Sequence, residues 1–274
     1  MAAIPLLQYM NVKFQNNLKI SIITATLNNS STIECCINSL LAQSYKNIEH
    51  VVIDGGSNDG TQSYLEGYSE SHDNVVYTSE KDSGIYHALN KGLALATGDI
   101  IGFLHADDLL ACDTILQQIV HQFQKNNAQG VYGDVQYVKQ DNISKVVRHW
   151  RCQKYQNTLI NKGWMPAHTS LYLKKEIYEL HGDFSTDFNI AADYEFILRI
   201  FKPQESTFSY LPQTVVKMRL GGTSNKSIKN IIVKMKEDYT SLQLHKIPNS
   251  LWVLTQKNYS KCKQFNHGIL SYFF

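Results

Sequence analysis

Apolar positions along the chain recur with two alternating spacings. Residues 20–27, ISIITATL, are rich in β-branched side chains and predict a buried strand. NNSS follows and offers helix N-caps. Ile33, Cys36, Ile37, Leu40 and Leu41 then recur at helical spacing, which predicts a helix to about Gln43. The same alternation repeats. Residues 48–54 (IEHVVID) and 74–80 (NVVYTSE) predict strands, with a glycine turn and a short helix after Thr61 between them. Ile85, Ala88, Leu89, Gly92, Leu93 and Ala96 make one face of a longer helix. Residues 99–104 (DIIGFL) predict a fourth strand, and 114–125 a third long helix.

Strand and helix alternating in this way argue for an α/β fold: a mainly parallel, Rossmann-like sheet with helices on both faces. In such sheets ligands bind beyond the carboxyl ends of the strands. Asp54, the Glu80–Lys81–Asp82 group and the Asp107–Asp108 pair all fall just past strand ends. After residue 130 the pattern changes. Residues 130–138 and 144–150 read as a hairpin, 168–175 as a strand, and KEIYELHG as a short helix closed by Gly182. Residues 191–201 read as an amphipathic helix with Asp193 near its start, and 206–220 as a further strand. A helical, basic stretch then covers 226–244.

Charge changes the picture at that point. The whole chain carries only +2, yet residues 217–274 hold ten Lys/Arg against two Asp/Glu. An acidic body therefore precedes a basic tail. The tail interleaves Lys226, Lys229, Lys234 and Lys236 with Ile228, Ile231, Ile232, Val233 and Met235, and it ends on LWVL and ILSYFF. That mixture suits an anionic membrane surface, an oligomer contact or a solvated helix. It is a poor fit to nucleic acid. No apolar run reaches the ~18 residues of a membrane span, and the N-terminus lacks a signal-peptide pattern. Five cysteines without CxxC spacing fit a reducing cytoplasm.

The chemistry concentrates in a few acidic positions. In HADD, an apolar strand runs into adjacent carboxylates, which repel unless something positive lies between them. Hard oxygen donors, too few to enclose an ion, suit Mg²⁺ or Mn²⁺ sharing its shell with phosphates. The alternative is a solvated turn capping the next helix. Asp54, before GG, suits either an imide N–H of uracil or an Asx-turn. Asn90 and Lys91 lie two turns into a helix whose N-terminal amides favour anions, and Lys91 is either a phosphate contact or a solvated lysine. Asp193 is either an N-cap or a general base for a hydroxyl. Glu195 points elsewhere on the helix and is the weaker candidate, a possible acceptor or donor contact. His168 is either a core histidine or a substrate contact. GxGxxG, GxxxxGK[ST] and GxSxG are all absent, which disfavours nicotinamide, P-loop and α/β-hydrolase chemistry. A nucleotidyltransferase would need a glycine-rich triphosphate loop after the first strand, and TLNNSS is not one.

ISIITATLN, VVIDGGSNDGT, SEKDSGIYHALNKGLALATGDIIGFLHADD and AADYEF together resemble family 2 glycosyltransferases of the GT-A fold, across about residues 18–222. The resemblance is nearest to bacterial enzymes of O-antigen (lipopolysaccharide), capsule and other surface-polysaccharide biosynthesis. It implies a nucleotide-binding half at 18–110, an acceptor half at 111–222 and a basic C-terminal segment at 223–274. Ala25, Thr26, Leu27 and Asp54 would bind the nucleobase, and Asp82 would line the nucleotide pocket. Asp107 would contact ribose or sugar, Asp108 would bind Mn²⁺ or Mg²⁺, and Asp193 would be the base. Gly221–Gly222 would open a loop that closes over the diphosphate. The reaction implied is inverting transfer of one hexosyl unit from a UDP-sugar. The acceptor implied is a polyprenyl-diphosphate-linked saccharide at the inner face of the cytoplasmic membrane. A non-catalytic sugar-nucleotide-binding assembly protein on the same fold is the rival expectation. Leu27 stands where the family commonly has an aromatic, and His105 where it has Asn. The QxxRW motif of processive synthases is absent.

Overall fold

A computed structural model describes residues 17–202, 207–221, 228–262 and 264. The first half runs β1 (Ile20–Thr26), α1 (Ile33–Leu41), β2 (Ile48–Asp54), α2 (Thr61–Glu70), β3 (Val75–Ser79), α3 (Ile85–Leu95) and β4 (Ile100–Phe103). β1 pairs in parallel with β2 and β4, and β2 with β3. Alternate residues of β1 face opposite sides of the sheet. Ile20 and Ile22 pack with α1 and with Ile115–Phe123 further on, whereas Ile23 packs with α3. All seven residues of β2 are buried, as expected of a strand covered on both faces.

The second half adds β5 (Leu109–Leu110), α4 (Ile115–Asn126), β6 (Gly130–Val138), β7 (Val146–Trp150), β8 (Leu171–Lys174), α5 (Lys175–His181), α6 (Ala192–Phe201) and β9 (Phe208–Arg219). One sheet results, in the order β3-β2-β1-β4-β8-β6-β9-β5, with β7 on β6. The expected parallel layer is its first half. β8 joins β4 antiparallel, so the sheet as a whole is mixed. The 130–150 hairpin forms as expected, whereas 168–170 is a 3₁₀ turn and its strand starts at Leu171. The two-residue strand β5 carries no periodicity of its own and is created by pairing with β9.

The C-terminal segment, expected as a basic stretch at 223–274, packs into the body of the fold where it is described. It forms α7 (Ile228–Leu244) and α8 (Ser250–Cys262). Leu242, Ile247, Val253 and Leu254 enter the same core as α3 and α6. Its basic composition hid this, because the apolar contacts are few and widely spaced.

Gly92 is where α3 rests on β1. A Cβ there would sit 2.3 Å from Ile23 Cγ2, a stiff branched side chain in the core. Gly92→Ala would gain about 0.5–1 kcal/mol of helix propensity. Overpacking costs about 1–3 kcal/mol and wins. Urea unfolding should show a net loss of stability; an unchanged midpoint would contradict the close contact.

Candidate active site

The carboxyl ends of β1–β4 form one rim of the site. After β1, Thr26 is buried and Leu27 is 57% exposed, leaning over Gly55. Ala25 packs partly against the core. Asn28 takes a left-handed φ of +55° and ties this loop to the next. Its N–H donates to Ser57 Oγ at 2.8 Å, and its Oδ1 accepts from Asn58 N at 2.9 Å. Asp54 is fully buried. Its Oδ2 accepts from Ser57 N at 2.9 Å and Ser79 Oγ at 2.6 Å, and its Oδ1 accepts from Ser57 Oγ at 2.5 Å. The carboxylate thus holds the glycine turn in the Asx arrangement.

Past β3, Lys91 Nζ lies 2.5 Å from Asp82 Oδ1 and 2.7 Å from Glu80 Oε1. The two carboxylates raise the Lys91 pKa. Asp82 Oδ2 is buried without a hydrogen-bond partner among the described residues. Asn90 does not face the rim. Its amide donates to Phe184 O at 2.8 Å and its Oδ1 accepts from Phe184 N at 3.1 Å, which latches the 184 loop to α3. Asn90 is therefore a structural residue, contrary to its sequence-based assignment as a nucleotide contact.

Past β4, the HADD turn closes through Asp108 N donating to His105 O at 2.9 Å. Asp108 is 1% exposed, and its Oδ1 accepts from Arg219 N at 3.2 Å. Arg219 Nη1 donates to Asp107 O at 2.7 Å. Part of the positive charge that the paired carboxylates call for thus comes from the end of β9. Asp108 Oδ2 is buried and has no hydrogen-bond partner among the described residues. Burial, and then the neighbouring Asp107 charge, push the Asp108 pKa well above the usual carboxylate range. Among the described residues no three His, Cys, Asp or Glu side chains cluster to hold a metal. The set fits a cation that takes one or two carboxylate oxygens from the chain and the rest from a diphosphate.

The opposite wall is built by α6. Eight of its ten residues are buried; Asp193 and Arg199 are not. His168 Nδ1 lies 3.1 Å from Asp193 Oδ2, and His168 Nε2 shares a 2.7 Å hydrogen bond with His105 Nε2. Tyr194 N donates to Asp193 Oδ1 at 2.8 Å. Two histidines therefore join the HADD turn to Asp193. Burial alone would raise the Asp193 pKa. The His168 hydrogen bond and charge, with Lys234 and Lys257, override burial and hold the carboxyl below its usual range. Burial, with His168 adding, lowers His105 to about 3, so its ring is neutral near pH 7. Glu195, carried as a possible substrate contact, is 3% exposed. It sits between Arg199 and His245, the latter at 2.8 Å, and does not reach the site.

Residues 21–186 match the family model described as glycosyl transferase family 2. The chain belongs to glycosyl transferase family 2. An uncharacterized glycosyltransferase of Mycobacterium tuberculosis is 32% identical over 186 residues, 66% of this chain and 68% of that one. A PGL/p-HBAD biosynthesis glycosyltransferase of Mycobacterium bovis is 27% identical over 78% of this chain and 82% of its own length. Among solved structures, residues 1–349 of S. aureus TarS in complex with UDP-GlcNAc align with a TM-score of 0.65 and 16% identity, covering 88% of this chain and 72% of that one. The mannosyltransferase PcManGT from Pyrobaculum calidifontis, in complex with GDP-Man and Mn²⁺, aligns with a TM-score of 0.61 and 20% identity, covering 90% of this chain and 75% of that one. These two likenesses establish the GT-A fold.

Several residues that contact or electrostatically neighbour these carboxylates carry no signal in the sequence. Arg219 reaches the HADD turn only because β9 pairs with β5. Arg148 stacks on Tyr137 and Trp150, with its guanidinium carbon 4.7 and 5.4 Å from the two ring centres. Burial raises the Tyr137 pKa; Arg148 opposes this, while Asp108 and Asp193 add to it, so the phenol feels both carboxylates. No local motif marks these positions. Gly221 closes the described part of β9 with φ +114°, while Gly222 and the loop expected from it lie outside the described residues.

Proposed function

We propose that this chain is an inverting, divalent-metal-dependent hexosyltransferase. It moves one sugar (glucose, galactose or an N-acetylhexosamine) from a UDP-sugar to a polyprenyl-diphosphate-linked saccharide in surface-polysaccharide biosynthesis. The observation that carries the reading is a pair of carboxylates, one in the HADD turn and one joined to that turn through His105 and His168. Asp193 is held ionised and 18% exposed, and Asp108 keeps a buried oxygen without a hydrogen-bond partner among the described residues. A UDP-GlcNAc complex among the structural neighbours supports the donor class, and a Mn²⁺ complex supports the cation.

Asp193 removes the proton of an acceptor hydroxyl as that oxygen attacks the anomeric carbon. The new carbon–oxygen bond forms on one face while the bond to the UDP phosphate breaks on the other. An α-linked donor therefore gives a β-linked product, and the proton ends on Asp193. His168 orients the base through its 3.1 Å contact. Leu27 and the Ala25–Thr26 backbone offer the nucleobase an apolar ledge, and Asp54 holds the loop beside it. Asp54 is fully buried, so an imide-accepting role would require the glycine turn to open and expose it. Asp82 and Lys91 form the far wall of the nucleotide pocket. Asp108, with Asp107 beside it, would hold Mn²⁺ or Mg²⁺, which neutralises charge developing on the departing diphosphate. Incubation with Mn²⁺, UDP-sugars and a lipid-diphosphate saccharide should release UDP. Absence of UDP with every donor would end the transferase reading for those substrates.

Access to a lipid-linked acceptor would come through α7 and α8. Ile231, Ile232 and Met235 are 43–50% exposed on α7, beside exposed Lys229 and Lys236, and Leu251 and Trp252 are exposed on α8. Lys234 and Lys257 turn inward to Asp238 and leave this surface. Lys226 and the terminal ILSYFF lie outside the described residues. Among the described residues no helix is long and apolar enough to cross a membrane. Contact would be peripheral, at the inner face of the cytoplasmic membrane. Ile232→Glu combined with Trp252→Glu should reduce pelleting with anionic vesicles and spare turnover on a water-soluble acceptor. Equal pelleting would remove the membrane role.

A further inference from the structure

The helix that carries Asp193 has no capping side chain at its N-cap. Its N-cap residue is Ala191, which has no side-chain acceptor, and the first backbone N–H groups of a helix have no partner within it. α7 supplies the acceptor for the N–H of the N-cap residue and for those of the two residues before it. Glu237 Oε1 accepts from Asn189 N at 2.9 Å, and Oε2 accepts from Ile190 N at 2.9 Å and Ala191 N at 2.8 Å. A carboxylate at this end also meets the positive pole of the helix. The same C-terminal element grips the next residues of α6. Lys257, 2% exposed, places Nζ 2.8 Å from Asp238 Oδ1 and 3.1 Å from the Tyr194 ring centre. His245 holds Glu195. Positions 189–191, 194 and 195 are thus fixed from one side, and Asp193 meets His168 on the other.

We infer that Glu237 is a positioning residue for the Asp193 carboxylate, acting through the backbone of 189–191. The inference rests on Asp193 being the base in the proposed transfer. Three charge-assisted bonds two to four residues from the base set where α6 begins, and a displacement of about 1 Å can cost ~10²-fold in rate. Loss of Glu237 alone leaves the Lys257–Asp238–Tyr194 and His245–Glu195 contacts in place, so the helix should shift at its start rather than unfold.

Glu237→Ala in the full-length chain should lower kcat by up to ~10²-fold with the KM for UDP-sugar unchanged. Glu237→Gln keeps one acceptor oxygen and should recover part of the rate. In an Asp193→Asn background, Glu237→Ala should add no further loss. A second reading needs no turnover. Amides 189–191 should exchange faster in Glu237→Ala, and the His168 ring N–H resonance should move, while the amides of β1–β4 stay protected. Wild-type kcat with an unmoved His168 signal would overturn the inference, as would full additivity with Asp193→Asn. If exchange rose throughout the chain, Glu237→Gln would decide, and wild-type kcat with faster exchange at 189–191 would count against positioning. A moved His168 signal in a chain that transfers no sugar would instead sink the transferase reading and leave the bracket intact.

Discussion

Asp193→Asn should reduce turnover by about 10²–10⁴-fold, the range general-base catalysis contributes, with UDP binding unchanged. The amide preserves the geometry. Its oxygen can still accept from His168 Nδ1 or from Tyr194 N, the contacts now at 3.1 and 2.8 Å. What it loses is a place for the acceptor proton. Steady-state UDP release and UDP titration calorimetry separate the two effects, and undiminished turnover would remove Asp193 as the base. Stability should respond as well. The folded carboxyl has a pKa below its usual range, because the His168 contact and the nearby lysines outweigh burial. A depressed folded value means the ionised group stabilises the fold above the unfolded pKa. That contribution disappears as pH falls through the folded value. The Asn variant should therefore melt lower than wild type at neutral pH, and the gap should close in acid.

What the sequence made legible was what one element encodes alone. β1, β2 and β4 show as runs because they are buried in the sheet, and α1, α3 and α4 show as helical faces because each lays an apolar face on it. Asp54, Asp108 and Asp193 show because each follows or opens such an element. Pairing between distant segments left no trace. β5 exists through β9, and Arg219 meets Asp107 and Asp108 across more than a hundred residues. Lys91 illustrates a competition lost: the start of α3 favours anions, but Glu80 and Asp82 already satisfy the ammonium. Asn90 was drawn instead to an unpaired loop backbone at Phe184. The C-terminal segment misled by composition, since Lys234 and Lys257, counted as surface charge, point into Asp238.

Asp108→Asn should move stability and activity in opposite directions. In the free protein Asp108 is 1% exposed beside another carboxylate, and Oδ2 has no partner among the described residues. An unsatisfied buried polar group costs about 1–3 kcal/mol, and more when charged. The amide puts an uncharged N–H₂ where the unpartnered Oδ2 lies, so only the extra cost of the charge and its repulsion with Asp107 is removed, while its oxygen still accepts from Arg219 N, now at 3.2 Å. The free variant should melt higher, by about 2–4 °C for each kcal/mol recovered. Donor handling should suffer. Losing several kcal/mol of charge stabilisation at the diphosphate lowers turnover roughly 10²–10³-fold, and the rise in melting temperature with UDP plus Mn²⁺ should vanish. A purely structural turn predicts otherwise: the variant would melt higher and still respond to UDP plus Mn²⁺. Calorimetry with and without the ligand pair distinguishes the two. A higher melting temperature together with a lost ligand response is the mark of a carboxylate kept at a cost in stability for a cation that arrives with the donor.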